Sequence, residues 1–337
     1  MRLYQFVARR LLLLVPVLLG LSLLTFTISH LIPGDPARML AGMEARKEAV
    51  ERIRRKWGFD KPVHEQYIIY MKGLFHGDMG ISSHTRHPVA EDLRLFIPAT
   101  AELALAALLI MCLLGIPLGV TAAVHKDKVL DHVTRLGALA GVSIPSFWLS
   151  LIFQFVFYRT LDWLPSGGRI AQGIAPPDRI TGLFLIDSLL TGNSEAFFSS
   201  LEHIIMPATV LGLAGLAAVT RMGRASMLEV LTKDYIKAAR AKGLSERKVI
   251  YKHALRNALI PVTTVVGMWT GALLGGAFVV EYIFYWPGIG YYGTAGIVTA
   301  DFTSTVGVAL FVGVVFVLAN LVVDVLYMFL DPRIRYG

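Results

Sequence analysis

Apolar residues in this chain are gathered into long runs separated by shorter polar stretches. Residues 11–32 form the first, 22 positions without Asp, Glu, Lys or Arg. Similar runs follow at 99–124, 136–158, 203–220, 257–280 and 302–330, the last holding Asp324 toward its inner end. Crossing the bilayer hydrocarbon takes ~20 residues of α-helix, and 203–220 is short but within range. The expectation is an all-α integral membrane protein with six transmembrane helices. The start is basic, with Arg2, Arg9 and Arg10. A signal peptide shares that feature, but its apolar region usually runs only ~7–15 residues. The first run therefore reads as a retained span, with residues 1–32 forming a cytoplasmic tail and that span.

The polar stretches set the orientation. Residues 125–135 carry Lys126, Lys128 and Arg135, and the end 331–337 is a basic tail; both suit the cytoplasm. Residues 159–202 hold three basic and five acidic residues, and 281–301 hold no Lys or Arg, so both read as external. Segment 33–98 falls outside by alternation. Its eleven Lys/Arg strain the positive-inside rule, which weakens for loops this long and with nine acidic residues interspersed. Within it, residues 45–57 read as an exposed amphipathic helix stopped by Gly58 to Pro62, and Gly77 to Ser82 as a turn. The remaining 99–330 forms the main transmembrane domain. Glu102 lies near an outer span end, where it reaches the headgroups, and Pro145 frees a backbone carbonyl within the third span. Gly267, Gly271 and Gly275 recur every four residues, giving the fifth span a bare face for close helix packing.

Composition narrows the function. Only 17% of the 337 residues are charged, and the net charge of +8 is explained by orientation, since no basic stripe with interleaved aromatics marks a nucleic-acid surface. Cys112 is single and apolar in setting. His64, His76, His84 and His87 match no metal spacing and read as solvated loop residues. The cores of the first, third and fifth runs lack ionisable groups, against an ion-driven carrier. No zinc-protease helix motif or Gly-x-Ser-x-Gly setting indicates an enzyme, and no Gly-x-x-x-x-Gly-Lys-Ser/Thr loop holds ATP. If the chain pumps, a partner supplies the work.

The point of entry for that work is residues 226–256, the most basic stretch, between the fourth and fifth runs. Leu228, Leu231, Tyr235, Ala238 and Ala239 make one stripe, and Val249, Ile250, His253 and Ala254 another, with a break at Gly243 that a left-handed cap explains. Ser245 and Glu246 suit the start of the second helix. The plain alternative is a basic inner loop that only fixes topology.

The sequence AARAKGLSERKVIYKHALRNALIP resembles the coupling loop of type I ABC importer permeases, in the dipeptide/oligopeptide/nickel group. The likeness covers essentially the whole chain, through IPGDP, GFDKP, GDMGIS, SIPSFW, RASMLEVL, DYIKAARAKGL, YIFYWPGIG and DPRIR. The segment with FLID, LTGNS and LPSGGR is most like the dipeptide permease B subunits. The resemblance implies the type I importer permease fold, with an external helical segment after span one and a cytoplasmic coupling hairpin. It implies a second homologous permease, two cytoplasmic ATPases that bind ATP and Mg, an extracytoplasmic peptide-binding protein, and a bacterial or archaeal inner membrane with both termini cytoplasmic. No cofactor is implied in this chain itself. By residue match, coupling contacts fall on Asp234, Ala238, Ala239, Gly243 and Leu244, although Lys237 stands where the general motif has Glu. The cargo is dipeptides or short oligopeptides, with nickel chelates, glutathione or oligosaccharides as alternatives within the family. A membrane receptor or scaffold that docks a cytoplasmic partner is the alternative from a different class.

Overall fold

The computed structural model describes residues 3–31, 35–42 and 45–330. Ile32 to Gly34 of the IPGDP motif and the basic tail 331–337 lie outside them, as does Arg2. Among the described residues the chain is helical, with an isolated antiparallel bridge between Ile81 and Pro88. The first run becomes helix α1 (Leu3–Leu31). Three short helices follow, α2 (Pro36–Ala41), α3 (Lys47–Trp57) and α4 (Val63–Phe75). Asp35 starts α2 by accepting from Ala37 N at 3.1 Å, and also receives Arg54 of α3 at 2.6 Å. Gly58 ends α3 at φ +67°, with Phe59 N donating back to Arg54 O at 2.9 Å. That is the left-handed stop expected there. Helix α4 had no counterpart in the sequence reading. It sets Tyr67 and Tyr70 around Phe26 of α1, with Tyr67 Oη 2.9 Å from Ser22 Oγ.

Helix α5 (Val89–Val124) starts ten residues before the second apolar run. The third run is broken into α6 (Val129–Ser143) and α7 (Ser146–Phe153), continued by a π-turn at Gln154–Thr160. Pro145 lies at the break, lacking an N–H to continue the ladder. After a short helix, α8 (Phe184–Thr191), helix α9 (Ser194–Leu231) runs as one 38-residue rod. Helices α5 and α9 meet along a glycine seam. A methyl group on Gly119 would lie 2.9 Å from Thr220 O and 3.1 Å from Arg224 N, and one on Gly212 would lie 3.1 Å from Ala107 O. Packing and close backbone approach hold such a seam where lipid removes the hydrophobic drive.

Beyond α9 come the hairpin helices α10 (Asp234–Ala241) and α11 (Glu246–Lys248), and a π-turn at Val249–Ala254 that leads into α12 (Leu255–Leu274). The fifth run does not continue as one helix to residue 280. The chain breaks at Gly275 and Gly276, the latter at φ +99°, and turns back as α13 (Phe278–Ile283) and α14 (Ile289–Val298) before α15 (Phe302–Leu330). Among the described residues, four stretches are long and apolar enough to cross a membrane: Val89–Val124, Ser194–Leu231, Glu246–Leu274 and Phe302–Val322. Gly271 and Gly275 face α15, where added methyl groups would lie 3.0 Å from Ala319 Cβ and 3.3 Å from Val312 Cγ1; Gly267 is half-buried on α12.

Candidate functional site

The hairpin is a small apolar knot between α9 and α12. Met227, Val230, Ile236, Ala239, Val249, Ile250, Ala254 and Ala258 form its buried core. Fully burying an Ile or Val stabilises by ~1.5–3 kcal/mol, so this core holds the hairpin as one body with α9. Of the stripe read from sequence, Ala239 is buried and Leu228 and Leu231 pack partly against the core, whereas Tyr235 and Ala238 are exposed and Met227, Val230 and Ile236 take its centre. Past the break at Thr232, the extended backbone of Lys233 restarts the helix and turns Ile236 and Ala239 inward and Tyr235 and Ala238 outward. The second stripe keeps its phase, with Val249, Ile250 and Ala254 buried.

Asp234, Ala238 and Gly243 lie on the surface, whereas Ala239 is buried and Leu244 packs partly against the core. Gly243 takes φ +76°. Leu244 N donates to Ala239 O at 3.4 Å and Gly243 N to Arg240 O at 2.9 Å, closing α10 with paired return bonds. A methyl group there would meet open space, so conformation alone favours glycine. Ser245 makes no side-chain cap. Glu246 instead receives Arg240 at 2.6 Å across the hairpin, and this hydrogen bond lowers its carboxyl pKa from the usual value. Lys237 reaches Asp234 at 2.9 Å and Lys233 reaches Glu229 at 2.8 Å. Lys242, Arg247, Lys248, Lys252 and Arg256 have no ion pair among the described residues, which leaves the second limb cationic.

Two ion pairs fix the surroundings, the first bidentate and the second with both arginine donors on one carboxylate oxygen, and neither was visible from sequence. At the inner side, Arg224 of α9 grips Asp131 of α6 with two bonds of 2.7 Å, and Asp131 is fully buried. The Arg224 hydrogen bonds hold its carboxyl at about 2. At the outer side, Glu102 does not reach headgroups. It is 5% exposed, receives Arg169 at 2.9 and 2.6 Å and accepts from Leu185 N at 2.7 Å. The long external loop folds back over the end of α5 and supplies the arginine that the local sequence lacks.

The turn around Trp286 to Gly290 is similarly built. Glu281 is fully buried, accepting from Thr100 Oγ1 at 3.0 Å and from Tyr291 N, at the start of α14, at 3.1 Å. Trp286 Nε1 donates to Ala99 O at 2.8 Å. Asp301 accepts from Ser82 Oγ and from Ser304 N, tying the external segment to the first turn of α15. These acids act as acceptors beside helix starts. His64, His76, His84 and His87 are exposed. No group of three metal-ligating side chains assembles among the described residues.

Comparison with known proteins places this geometry. The pattern of the "Binding-protein-dependent transport system inner membrane component" matches residues 115–336, and its N-terminal companion matches residues 3–93. The "Probable D,D-dipeptide transport system permease protein DdpB" of Escherichia coli K12 is 48% identical over 96% of this chain and 95% of its own. The "Dipeptide transport system permease protein DppB" of the same organism is 42% identical over 98% and 99%. The "Di/tripeptide transport system permease protein DppB" of Pseudomonas aeruginosa is 43% identical over 98% and 99%. The chain therefore belongs to the family of inner-membrane permease components of binding-protein-dependent transport systems.

Proposed function

We propose that this chain is one of two permease subunits of an ATP-driven importer for dipeptides or short oligopeptides. It has six spans, α1, α5, the broken α6–α7, α9, α12 and α15, with both ends cytoplasmic. A homologous second permease completes the pathway, and an external binding protein delivers cargo. Two ATPases bind ATP and Mg and engage the hairpins; this chain contributes no nucleotide site.

The observation that carries the reading is the mechanical unity of the hairpin with α9. One core fastens α10 and the π-turn to a helix that runs uninterrupted from the external loop to the inner surface. A partner that moves Asp234, Ala238 and Gly243 moves that helix as a lever. Asp131–Arg224 passes the displacement to α6, and the glycine seam passes it to α5. The two orientations are populations that ATP binding and release favour in turn. Ala239 and Leu244, matched to the coupling motif, act here by holding the exposed contacts in place.

The test is ATP-dependent uptake of alanyl-alanine by the reconstituted complex with its binding protein. Gly243→Trp adds bulk and strain at the docking tip, whereas Gly243→Ala adds chiefly strain. Uptake lost in the first and largely kept in the second supports docking at this tip. Full cargo-stimulated ATPase activity and uptake in Gly243→Trp would remove the lever assignment. The "Glutathione transport system permease protein GsiC" of another Escherichia coli strain is 36% identical over 98% of the chain, so glutathione is the competitor to include. A docking scaffold predicts no uptake of either.

A further inference from the structure

On the outer face, the chain leaving the π-turn at Gln154–Thr160 doubles back over the start of α9 and borders an open cavity of about 410 Å³. That volume falls within the roughly 300–1,000 Å³ of small-ligand sites. Its walls include Tyr158, Asp162, Trp163, Gln172, Glu202 and His203, and no Lys or Arg lines it. Of the loop arginines, Arg169 is engaged on Glu102 and Arg179 on Arg94 O at 3.0 Å, while exposed Arg159, next to the lining Tyr158, has no ion pair among the described residues. Asp162 and Glu202 are exposed and have no ion pair among the described residues.

His203 gives the cavity a second kind of acceptor. The residue is 6% exposed, and its Nδ1 lies 2.7 Å from Ser199 O. A carbonyl only accepts, so Nδ1 carries the proton and Nε2 of the neutral ring presents a lone pair. That Nε2 has no hydrogen-bond partner among the described residues and is reached by solvent at the cavity wall. The acids and the histidine do not converge tightly enough to form a metal site. The arrangement suits a cationic group with N–H donors spread along it. Trp163 and Tyr158, 68% and 44% exposed, add ring faces that attract an ammonium.

We propose that this cavity is a transit site for the amino-terminal end of a short peptide. Asp162 and Glu202 draw the α-ammonium over the aromatic faces, and His203 Nε2 accepts an N–H from the same end of the peptide. The site is open and uses few contacts, so its affinity is weak, on the order of 1 mM, as a transfer site requires. The inference rests on the peptide-importer reading. A lipid ethanolamine headgroup carries the same primary ammonium and is the occupant the test must separate.

Trp163 is a built-in reporter. The complex that contains this chain is placed in nanodiscs of phosphatidylcholine and phosphatidylglycerol. It is titrated with alanyl-alanine while tryptophan emission is followed, beside the Trp163→Phe complex. The expected result is a saturable change in the wild type that Trp163→Phe abolishes. Apparent affinity should fall at least about tenfold in Glu202→Gln and Asp162→Asn, both exposed positions, and for N-acetyl-alanyl-alanine, which lacks the ammonium. No response, an equal response to the acetylated peptide, or a response only when phosphatidylethanolamine is added overturns the proposal. ATP-driven uptake by the same complex is measured in parallel. Uptake without a Trp163 response retires the cavity alone, and no peptide uptake at all retires the importer reading beneath it.

Discussion

The two ends of this permease are held together by opposite means. The hairpin between α9 and α12 is an apolar knot wrapped in exposed ion pairs, Glu229–Lys233, Asp234–Lys237 and Arg240–Glu246. The outer end is a layer of buried carboxylates, Glu102, Glu281, Asp92 and Asp301, each satisfied by neighbours distant in sequence. Exposed pairs are worth little and exchange readily with a partner's groups. Buried pairs are costly to break singly and set one arrangement of the elements they join. The inner surface is therefore available for docking without unfolding anything, whereas the outer layer defines the position of the turns that close over the spans.

The strongest challenge to that contrast is Arg169→Leu. Glu102 would be left buried with one backbone donor, and breaking such a pair from one side costs roughly 3–5 kcal/mol. Thermal unfolding of the purified complex should show a large loss, and the double variant Glu102→Met/Arg169→Leu should recover more than half of it. A single variant as stable as the wild type would show that this outer layer does not hold the fold. Asp131→Ala comes next. Arg224 is 20% exposed and partly regains water, so the loss should be smaller, about 1.5–3 kcal/mol. Its pH signature has a definite sign. The Asp131 carboxyl is held at about 2 against an ordinary 3.8, so its contribution is complete above pH ~4 and is lost as pH falls through about 2. The difference in stability between wild type and Asp131→Ala should be constant from pH 5 to 8 and shrink below 4.

Much of the inner end was legible because its signals are local. Basic residues, a glycine break and a second apolar stripe lie within about thirty residues, and the first stripe holds at Leu228, Leu231 and Ala239 while Tyr235 and Ala238 turn outward after Lys233 restarts the helix. The outer end was illegible for the converse reason. Glu102 meets an arginine 67 positions away and Thr100 meets a glutamate 181 positions away, separations that no periodicity encodes. Glycine spacing was a partial guide. It singled out Gly267, Gly271 and Gly275, but the tightest backbone approach in a long span joins Gly119 to Thr220 and Arg224. Gly119→Ala should thus cost about 1–3 kcal/mol, since its neighbours are backbone atoms that cannot rotate away. Gly271→Ala, which meets a single methyl group, should cost less. Unfolding midpoints in the reverse order would restore the α12 face as the principal seam.

The smallest effects belong to the hairpin surface, and they test the inner half of the contrast. Gly243→Ala forces a Cβ into left-handed backbone and should cost about 1 kcal/mol with no clash. Glu246→Gln should do less still. The carboxylate and Arg240 are 56% and 42% exposed, so solvent screens the pair and the change in stability should stay below about 0.5 kcal/mol. The pairing lowers the carboxyl pKa, so any stabilisation is present at neutral pH and fades only under acid, leaving pH 5 to 8 flat. Transport is the sharper readout. If the hairpin is a rigid docking body, Glu246→Gln leaves its core of Ile236, Val249 and Ala254 intact, and ATP consumed per peptide imported should not change. If that ratio rises while the unfolding midpoint holds, Arg240 and Glu246 set the angle of the lever, and the exposed pairs of the inner end act as positioning contacts rather than exchangeable ones.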